Sequence, residues 1–322
     1  MNVAAVLQAA AEAKASDIHI QEGRMPLLRI GADLVPWGQD VVVKEDIVSW
    51  LQSLGVCLDG RSYVSVSFPW NGRIRCRLHV SQEYAGIHAV IRMLYPLDEL
   101  PADADELLLQ KLGALRDGLV LICGPTGSGK TTTLWRILCW ANTHRRCHII
   151  TLEDPIEYVV PGVLALISQR EYAVHFQSFA EGVREALRQD PDIMLIGEMR
   201  DKETMDAALT AAETGHLVFA TLHTRSAAQA VSRLAGAYAG VEQEEMRCRL
   251  ALVLQGILAQ RQYNGHEGRR YIVREILLHT PAVAQLIRSG REHQLLTIMQ
   301  TGAALGMRTM EQALQQRQQQ LI

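Results

Sequence analysis

Several things are scarce in this chain of 322 residues, and each scarcity excludes something. Aromatic side chains make up 5% of it, too few for an extended stacking platform for single-stranded nucleic acid. Its 32 basic and 35 acidic residues leave a net charge of -3, so no basic surface dominates and no direct nucleic-acid partner is expected. The cluster Arg145-Arg146, beside His144 and His148, reads as a solvated loop between a helix and a strand. None of the six cysteines (57, 76, 123, 139, 147 and 248) forms a C-x-x-C pair, which argues against a zinc ribbon. Cys76, Cys123 and Cys139 sit among apolar neighbours and read as small core residues, as fits a reducing cytoplasm. No apolar run reaches the roughly 20 residues a membrane span needs. Met1 to Ala15 is Ala-rich and amphipathic but carries Glu12 and Lys14 and has no basic leader, so it is not read as a signal peptide. Membrane contact is therefore expected only through a partner.

What is present is the composition of an ordinary globular protein, 48% hydrophobic and 21% charged, with enough chain for two or three domains. Residues 1–98 hold short strand-like runs at Ile18–Ile20, Leu27–Ile30, Tyr63–Phe68, Ile74–Val80 and Ile87–Leu94. Two helical stretches, Val3–Ala15 and Lys44–Leu54, accompany them, and the mixture predicts a small α+β domain. Asn71-Gly72 between two of the runs is a hairpin signal. The segment from Tyr95-Pro96 to Pro101-Ala102 reads as a linker, with a boundary near 98. Over 99–241 the apolar runs Leu119–Cys123, His148–Leu152, Ile193–Ile196 and Leu217–Thr221 alternate with helical patterns. Such alternation predicts an α/β domain with a parallel-rich sheet covered on both faces. Residues 242–322 read as a helical part, Gln-rich after Gln312.

Gly124-Pro125-Thr126-Gly127-Ser128-Gly129-Lys130-Thr131 is a complete G-x-x-x-x-G-K-[ST] motif. It follows the run Leu119–Cys123 and opens the helical segment that continues through Thr132. The glycines let backbone N–H groups converge on a phosphate, and the helix N-terminus adds partial positive charge. Lys130 is then placed to neutralise the β- and γ-phosphates, and the Thr131 hydroxyl to ligate Mg²⁺, so ATP or GTP is the expected ligand.

Three further segments carry a resemblance. Ile150-Thr151-Leu152-Glu153-Asp154-Pro155-Ile156-Glu157-Tyr158 looks like the Asp box of the secretion and type IV pilus ATPase superfamily (type II/IV secretion ATPases). Asp192 to Asp201, through Gly197-Glu198-Met199-Arg200, resembles that superfamily's Walker B segment, and Thr210 to Thr224 its His box. Ala15 to Ile20 resembles its N-terminal domain. The chain is most similar to the pilus-retraction (twitching motility) type. The resemblance implies a RecA-like P-loop domain, preceded by a PAS-like α+β domain, that hydrolyses ATP with Mg²⁺.

The residues support roles of their own. Glu198 ends a buried run, so its carboxylate emerges at the carboxyl edge of the sheet, able to position Mg²⁺ or the attacking water. Glu153, Asp154 and Glu157 cluster after the preceding run, where grouped acids near a metal can stay ionised and accept a proton from water. The resemblance implies Glu157 as the first candidate for general base and Glu198 as the second, and for Glu153 and Asp154 capping and solvation are the alternative. His216 and His223 flank one run at opposite ends. The resemblance implies that one or both sense the γ-phosphate or couple it to a neighbouring subunit, whereas core hydrogen bonding is the plain reading. It also implies arginine fingers from the N-terminal domain, where Arg75, Arg77 and Arg92 lie on strand-like runs and Arg92 matches best. Asp201 reads as a helix cap.

By the same resemblance, a ring of six subunits would drive an inner-membrane platform protein that adds or removes pilins, from a cytoplasmic position peripheral to that membrane. The length of the chain and its lack of a four-cysteine element favour retraction. The A-I-R-N-L-I-R signature of that type is altered, standing here as Ala282-Val283-Ala284-Gln285-Leu286-Ile287-Arg288. Competing readings are an assembly, secretion or DNA-uptake ATPase of the same superfamily, a nucleotide-dependent regulatory switch, and a RecA-like DNA motor.

Overall fold

A computed structural model describes residues 2–58, 60–100, 102–264 and 270–320. The chain divides into two compact units, one of residues 1–101 and one of 102–263 with 271–322.

The first unit is an antiparallel sheet with two helices. The helices are α1 (Val3–Glu12) and α2 (Lys44–Ser53); the strands are β1 (Asp17–Gln21), β2 (Leu27–Ile30), β3 (Asp33–Pro36), β4 (Tyr63–Trp70), β5 (Ile74–Glu83) and β6 (Gly86–Leu94). Their order is β3-β2-β1-β6-β5-β4, with every pair antiparallel. Alternation decides the faces. Ile18, Ile20, Leu78, Val80, Ala89 and Ile91 are fully buried in a cluster with Val6, Leu7 and Ala10 of α1 and Ile47 of α2. The intervening residues, among them His19, Arg77 and Arg92, take the other face, where Arg77 stands opposite Arg92 and Arg92 opposite Asp17. Asn71 and Gly72 both have positive φ, 47° and 73°, and close the β4–β5 hairpin as their pairing in sequence suggested.

The second unit holds helices α3 (Glu106–Gly113), α4 (Lys130–His144), α5 (Phe179–Ala186), α6 (Lys202–Glu213), α7 (Ala227–Ala235), α8 (Val241–Val253), α9 (Pro281–Arg288), α10 (Leu295–Thr301) and α11 (Met310–Gln320). Its strands are β7 (Gly118–Cys123), β8 (His148–Glu153), β9 (Leu166–Glu171), β10 (Ile193–Ile196), β11 (Leu217–Leu222), β12 (Leu254–Asn264) and β13 (Arg270–Leu278). They order as β13-β12-β7-β11-β10-β8-β9, and the six from β12 to β9 run parallel. Every residue of β7, β10 and β11 is buried, the mark of a parallel sheet covered on both faces. This is the expected α/β architecture with a parallel-rich sheet. Among the described residues no helix is long and apolar enough to cross a membrane.

One expectation is corrected. The stretch after 242 is not helical throughout: α8 stops at Val253 and the chain enters β12 and β13. The apolar spacing of Leu250, Val253, Leu254, Ile257 and Leu258 suits a continuing helix. Pairing with the open side of β7, however, satisfies the backbone of Leu254–Ala259 while burying the same side chains, with a register shift between Leu254 and Gly256. Tertiary pairing overrides the local period.

Candidate functional site

A parallel sheet directs all its strand ends one way, so the segments after β7, β8, β10 and β11 meet along one edge. After β7 the chain forms the loop Gly124–Gly129, and α4 starts at Lys130. Gly124 has φ 149°, and a Cβ there would stand 2.4 Å from the Gln260 carbonyl and 2.5 Å from Ser128 Oγ. Gly129 has φ 85°, and a Cβ there would stand 2.9 Å from Ile272. Both positions therefore need glycine. Lys130 Nζ lies inside the loop, donating to the carbonyls of Gly124 at 2.8 Å and Pro125 at 3.1 Å. Burial lowers its pKa, while Cys123, Glu198 and Glu157 act to raise it. Ser128 is 2% exposed and its Oγ has no hydrogen-bond partner among the described residues. Pro125, Thr126 and Gly127 form the loop's crest, Thr131 and Thr132 the first turn of α4, where Thr132 Oγ1 lies 3.3 Å from the Tyr158 hydroxyl.

Glu198 follows β10, and its neighbours fix it. Gly197 N–H donates to Leu152 O at 2.7 Å, the Thr221 hydroxyl donates to Gly197 O, and Met199 N–H donates to Thr221 O at 3.1 Å. The Glu198 carboxylate meets Arg200 Nη2 at 2.7 Å and His223 Nε2 at 3.5 Å. His223 follows β11 directly, and Glu157 lies in the segment after β8. The structure thus brings Lys130, Glu157, Glu198 and His223 to one edge. Glu153, the last residue of β8, is 4% exposed and accepts from Thr151 Oγ1 at 2.7 Å and Gln169 Nε2 at 3.1 Å. Burial pushes its carboxyl up to about 6, against the lowering effect of those hydrogen bonds.

One expected residue, His216, is not brought there. His216 precedes β11, and its carbonyl accepts from Gly118 N–H at the start of β7, so it lies at the opposite edge of the sheet. Six residues of strand, about 20 Å, separate it from the loop edge. Its Nδ1 instead faces Ala211 O at 3.0 Å, the plain core role, and sensing of a γ-phosphate within its own chain is excluded by that distance. Arg92 belongs to the first unit, where its Nε donates to Asp17 Oδ1 at 2.9 Å. Asp201 caps α6, accepting from Thr204 N–H at 2.8 Å.

A group of residues behind the loop gave no sequence motif. Gln260 on β12 donates from Nε2 to Ser128 O at 2.7 Å and accepts at Oε1 from Thr133 Oγ1 at 3.0 Å and Arg274 Nε at 3.4 Å. Arg274 on β13 is 1% exposed. Its Nη1 donates to Asp103 Oδ1 at 2.6 Å and Asp105 Oδ2 at 3.0 Å, its Nη2 to Asp103 Oδ2 at 2.7 Å and Thr133 Oγ1 at 2.9 Å. Arg308 adds a second cation on Asp105 Oδ1 at 2.5 Å. These partners lie up to 203 residues apart, and only the fold assembles them.

The loop, an orphaned buried hydroxyl and a cation inside the ring suit a phosphate chain, and Thr131 and Glu198 are the hard oxygen donors Mg²⁺ prefers. Known proteins agree in kind. The family model described as type II/IV secretion system protein matches residues 59–264. The uncharacterized protein YggR of Escherichia coli K12 is 39% identical over 325 residues, 98% of each chain. A type IV pilus retraction ATPase, PilT of Pseudomonas aeruginosa, is 35% identical over 98% of this chain and 93% of its own length. The crystal structure of the pilus retraction motor PilT with bound ADP superimposes with TM-score 0.84 at 34% identity, covering 99% of this chain and 94% of that one. Matches of this extent and identity lead to one conclusion: the chain belongs to the type II/IV secretion system protein family.

Proposed function

We propose that the chain is an ATP hydrolase working as a motor subunit, of the kind that drives pilus retraction. The observation that carries this reading is the meeting of the Gly124–Gly129 loop and Lys130 with Glu157, Glu198 and His223 along one sheet edge. Backbone N–H groups of the loop and Lys130 would hold the β- and γ-phosphates, with Gly124 through Thr132 forming the cradle. Thr131 and Glu198 would hold Mg²⁺, which supplies charge neutralisation at the transferring phosphoryl group. Glu157 would accept the proton of the attacking water, and Glu198 would orient that water. His223, already against Glu198, would report the state of the γ-phosphate. Arg92 is proposed as the cation completed from a neighbouring subunit, which makes a ring of six the working form. His216 is assigned only to subunit coupling or core bonding.

The partner is an inner-membrane platform protein, reached from the cytoplasmic side; the names of the PilT relatives support this machine context. One observation favours work on a different machine of the same superfamily. At the position of the retraction signature's arginine stands Ala284, 3% exposed and packed in the core, with exposed Gln285 beside it. Of these two positions only Gln285, in place of the signature's asparagine, is exposed, and there the helix surface offered to a partner differs from that of the retraction type.

ATP turnover and oligomeric state, measured together for wild type and Glu198→Gln, test the proposal. A nucleotide-binding ring that turns over ATP, with turnover falling on the order of a hundredfold or more in the variant, is the expected result. Equal ADP and ATP binding by both proteins, with no turnover by either in the presence of a platform protein, would replace the motor by a switch.

A further inference from the structure

The phosphate loop needs its peptide groups aimed correctly, and the sequence motif alone does not say what aims them. A peptide unit is planar and trans, so its C=O and N–H point in opposite directions. Whatever fixes the carbonyl of one residue fixes the N–H of the next. The Ser128–Gly129 peptide is gripped in this way: Ser128 O accepts from Gln260 Nε2 at 2.7 Å, a bond between buried groups. Gly129, at φ 85°, carries no side chain that could fix the orientation of that peptide, and its own carbonyl is engaged by Thr133 N–H at 3.0 Å.

We infer that Gln260 is a positioning residue for the phosphate site: by holding the Ser128 carbonyl outward it aims the Gly129 N–H into the loop, at the β-phosphate. The inference rests on the nucleotide-binding reading of that loop.

Gln260 can do this because its own amide cannot flip. A free glutamine amide presents either its oxygen or its nitrogen to a neighbour at little cost. Here the oxygen is surrounded by donors, the Thr133 hydroxyl at 3.0 Å and Arg274 Nε at 3.4 Å. Rotation of the amide would place NH₂ against both and an oxygen against the Ser128 carbonyl. Arg274 is itself immobile, since its five N–H donors all have acceptors among Asp103, Asp105, Thr133 and Gln260. The order of constraint runs from two carboxylates to a guanidinium, to an amide, to a peptide plane, to one N–H aimed at the ligand. Asp105, Arg274, Thr133, Gln260 and Ser128 are buried, where each bond is stronger and each broken bond dearer than in water.

The discriminating variant is Gln260→Glu. It keeps acceptors for Thr133 and Arg274 but sets a carboxylate oxygen against the Ser128 carbonyl, so the peptide is no longer held. Binding of ADP and of AMP would be measured for the full chain by calorimetry, with thermal melting as a control for folding. Loss of one hydrogen bond to a charged phosphate predicts ADP weakened about tenfold or more. AMP, which lacks the β-phosphate, should change less than about twofold. Because that contact is made equally with bound ATP and in the transition state, KM for ATP should rise by the ADP factor while kcat moves less than about threefold. Unchanged ADP affinity in a folded variant would overturn the inference, as would equal weakening of ADP and AMP. If Gln260→Glu does not fold, Thr133→Val removes one of the two donors that orient the amide. It should weaken ADP about fivefold with AMP unchanged, and no change in ADP would be equally decisive against the idea. Failure of the wild-type chain to bind ADP would overturn the nucleotide reading and this inference with it.

Discussion

Glu153 offers a prediction whose size follows from the structure. Its carboxyl ends β8 at 4% exposure and titrates near 6, raised from 4.5 chiefly by burial. In the unfolded chain it titrates at its ordinary value. Between pH 4.5 and 6 the folded state therefore holds more protons than the unfolded state, and stability falls as pH rises. Above 6 the penalty is complete: a shift of about 1.5 units at 1.36 kcal/mol each is about 2 kcal/mol. Below 4.5 it vanishes. Glu153→Gln removes the charge while leaving a carbonyl oxygen to accept from Thr151 and Gln169, which both address the same Oε1. The variant should thus be more stable than wild type at pH 8 by about 2 kcal/mol, or roughly 4–8 °C in Tm for a unit of this size. At pH 4.5 the two should melt together. Differential scanning calorimetry across that range, without nucleotide, reads the difference directly. A variant that is less stable at pH 8, or equally shifted at both pH values, would show that Glu153 is held as a needed anion and that burial is not what sets its titration.

Two further tests address the scaffold. Arg274→Met strips the counterion from Asp103, whose carboxyl stays below its ordinary value because the Arg274 hydrogen bond and charge outweigh burial. Uncompensated buried charge costs about 3–5 kcal/mol, so urea denaturation should show a loss of that order, shrinking as pH drops toward the carboxylate range and Asp103 protonates; a loss below about 1 kcal/mol would refute the clamp. Asp201→Ala removes the α6 cap, where Asp201 accepts from Thr204 N–H, and should cost about 1 kcal/mol by the same assay without altering nucleotide affinity.

How far the sequence foretold all this depended on distance along the chain. The phosphate loop, the strand runs β7, β8, β10 and β11, and the Asn71-Gly72 hairpin are contiguous, and their physics is local enough to read from spacing and residue type. Edge strands were harder. β9 has only partly buried side chains and one exposed leucine, so it carries no apolar run. β12 keeps a helix-like apolar spacing as far as Leu258 and then turns polar, and its strand character comes from the open side of β7 alone. Glu198 and His223 could be placed at the sheet's carboxyl edge from strand direction, and the same argument separates His216 from them. Gln260, Arg274, Asp103 and Asp105 were invisible for a different reason. Each is an ordinary polar residue until partners more than 100 residues away arrive, and no spacing rule encodes such a meeting.

The place of β12 beside β7 has a consequence for synthesis. The phosphate loop leaves the ribosome with its motif complete, but the strand that braces it is made later, Gln260 following Thr133 by 127 residues and Ser128 by 132. At about 5–20 residues per second, the side of β7 that β12 will cover waits several seconds or more for its partner. A nascent or prematurely terminated chain ending before residue 254 would carry every recognisable nucleotide motif and still lack the wall behind its loop. Birth order thus places maturation of the site among the last events of this unit's folding, after the residues that name it have long been in place.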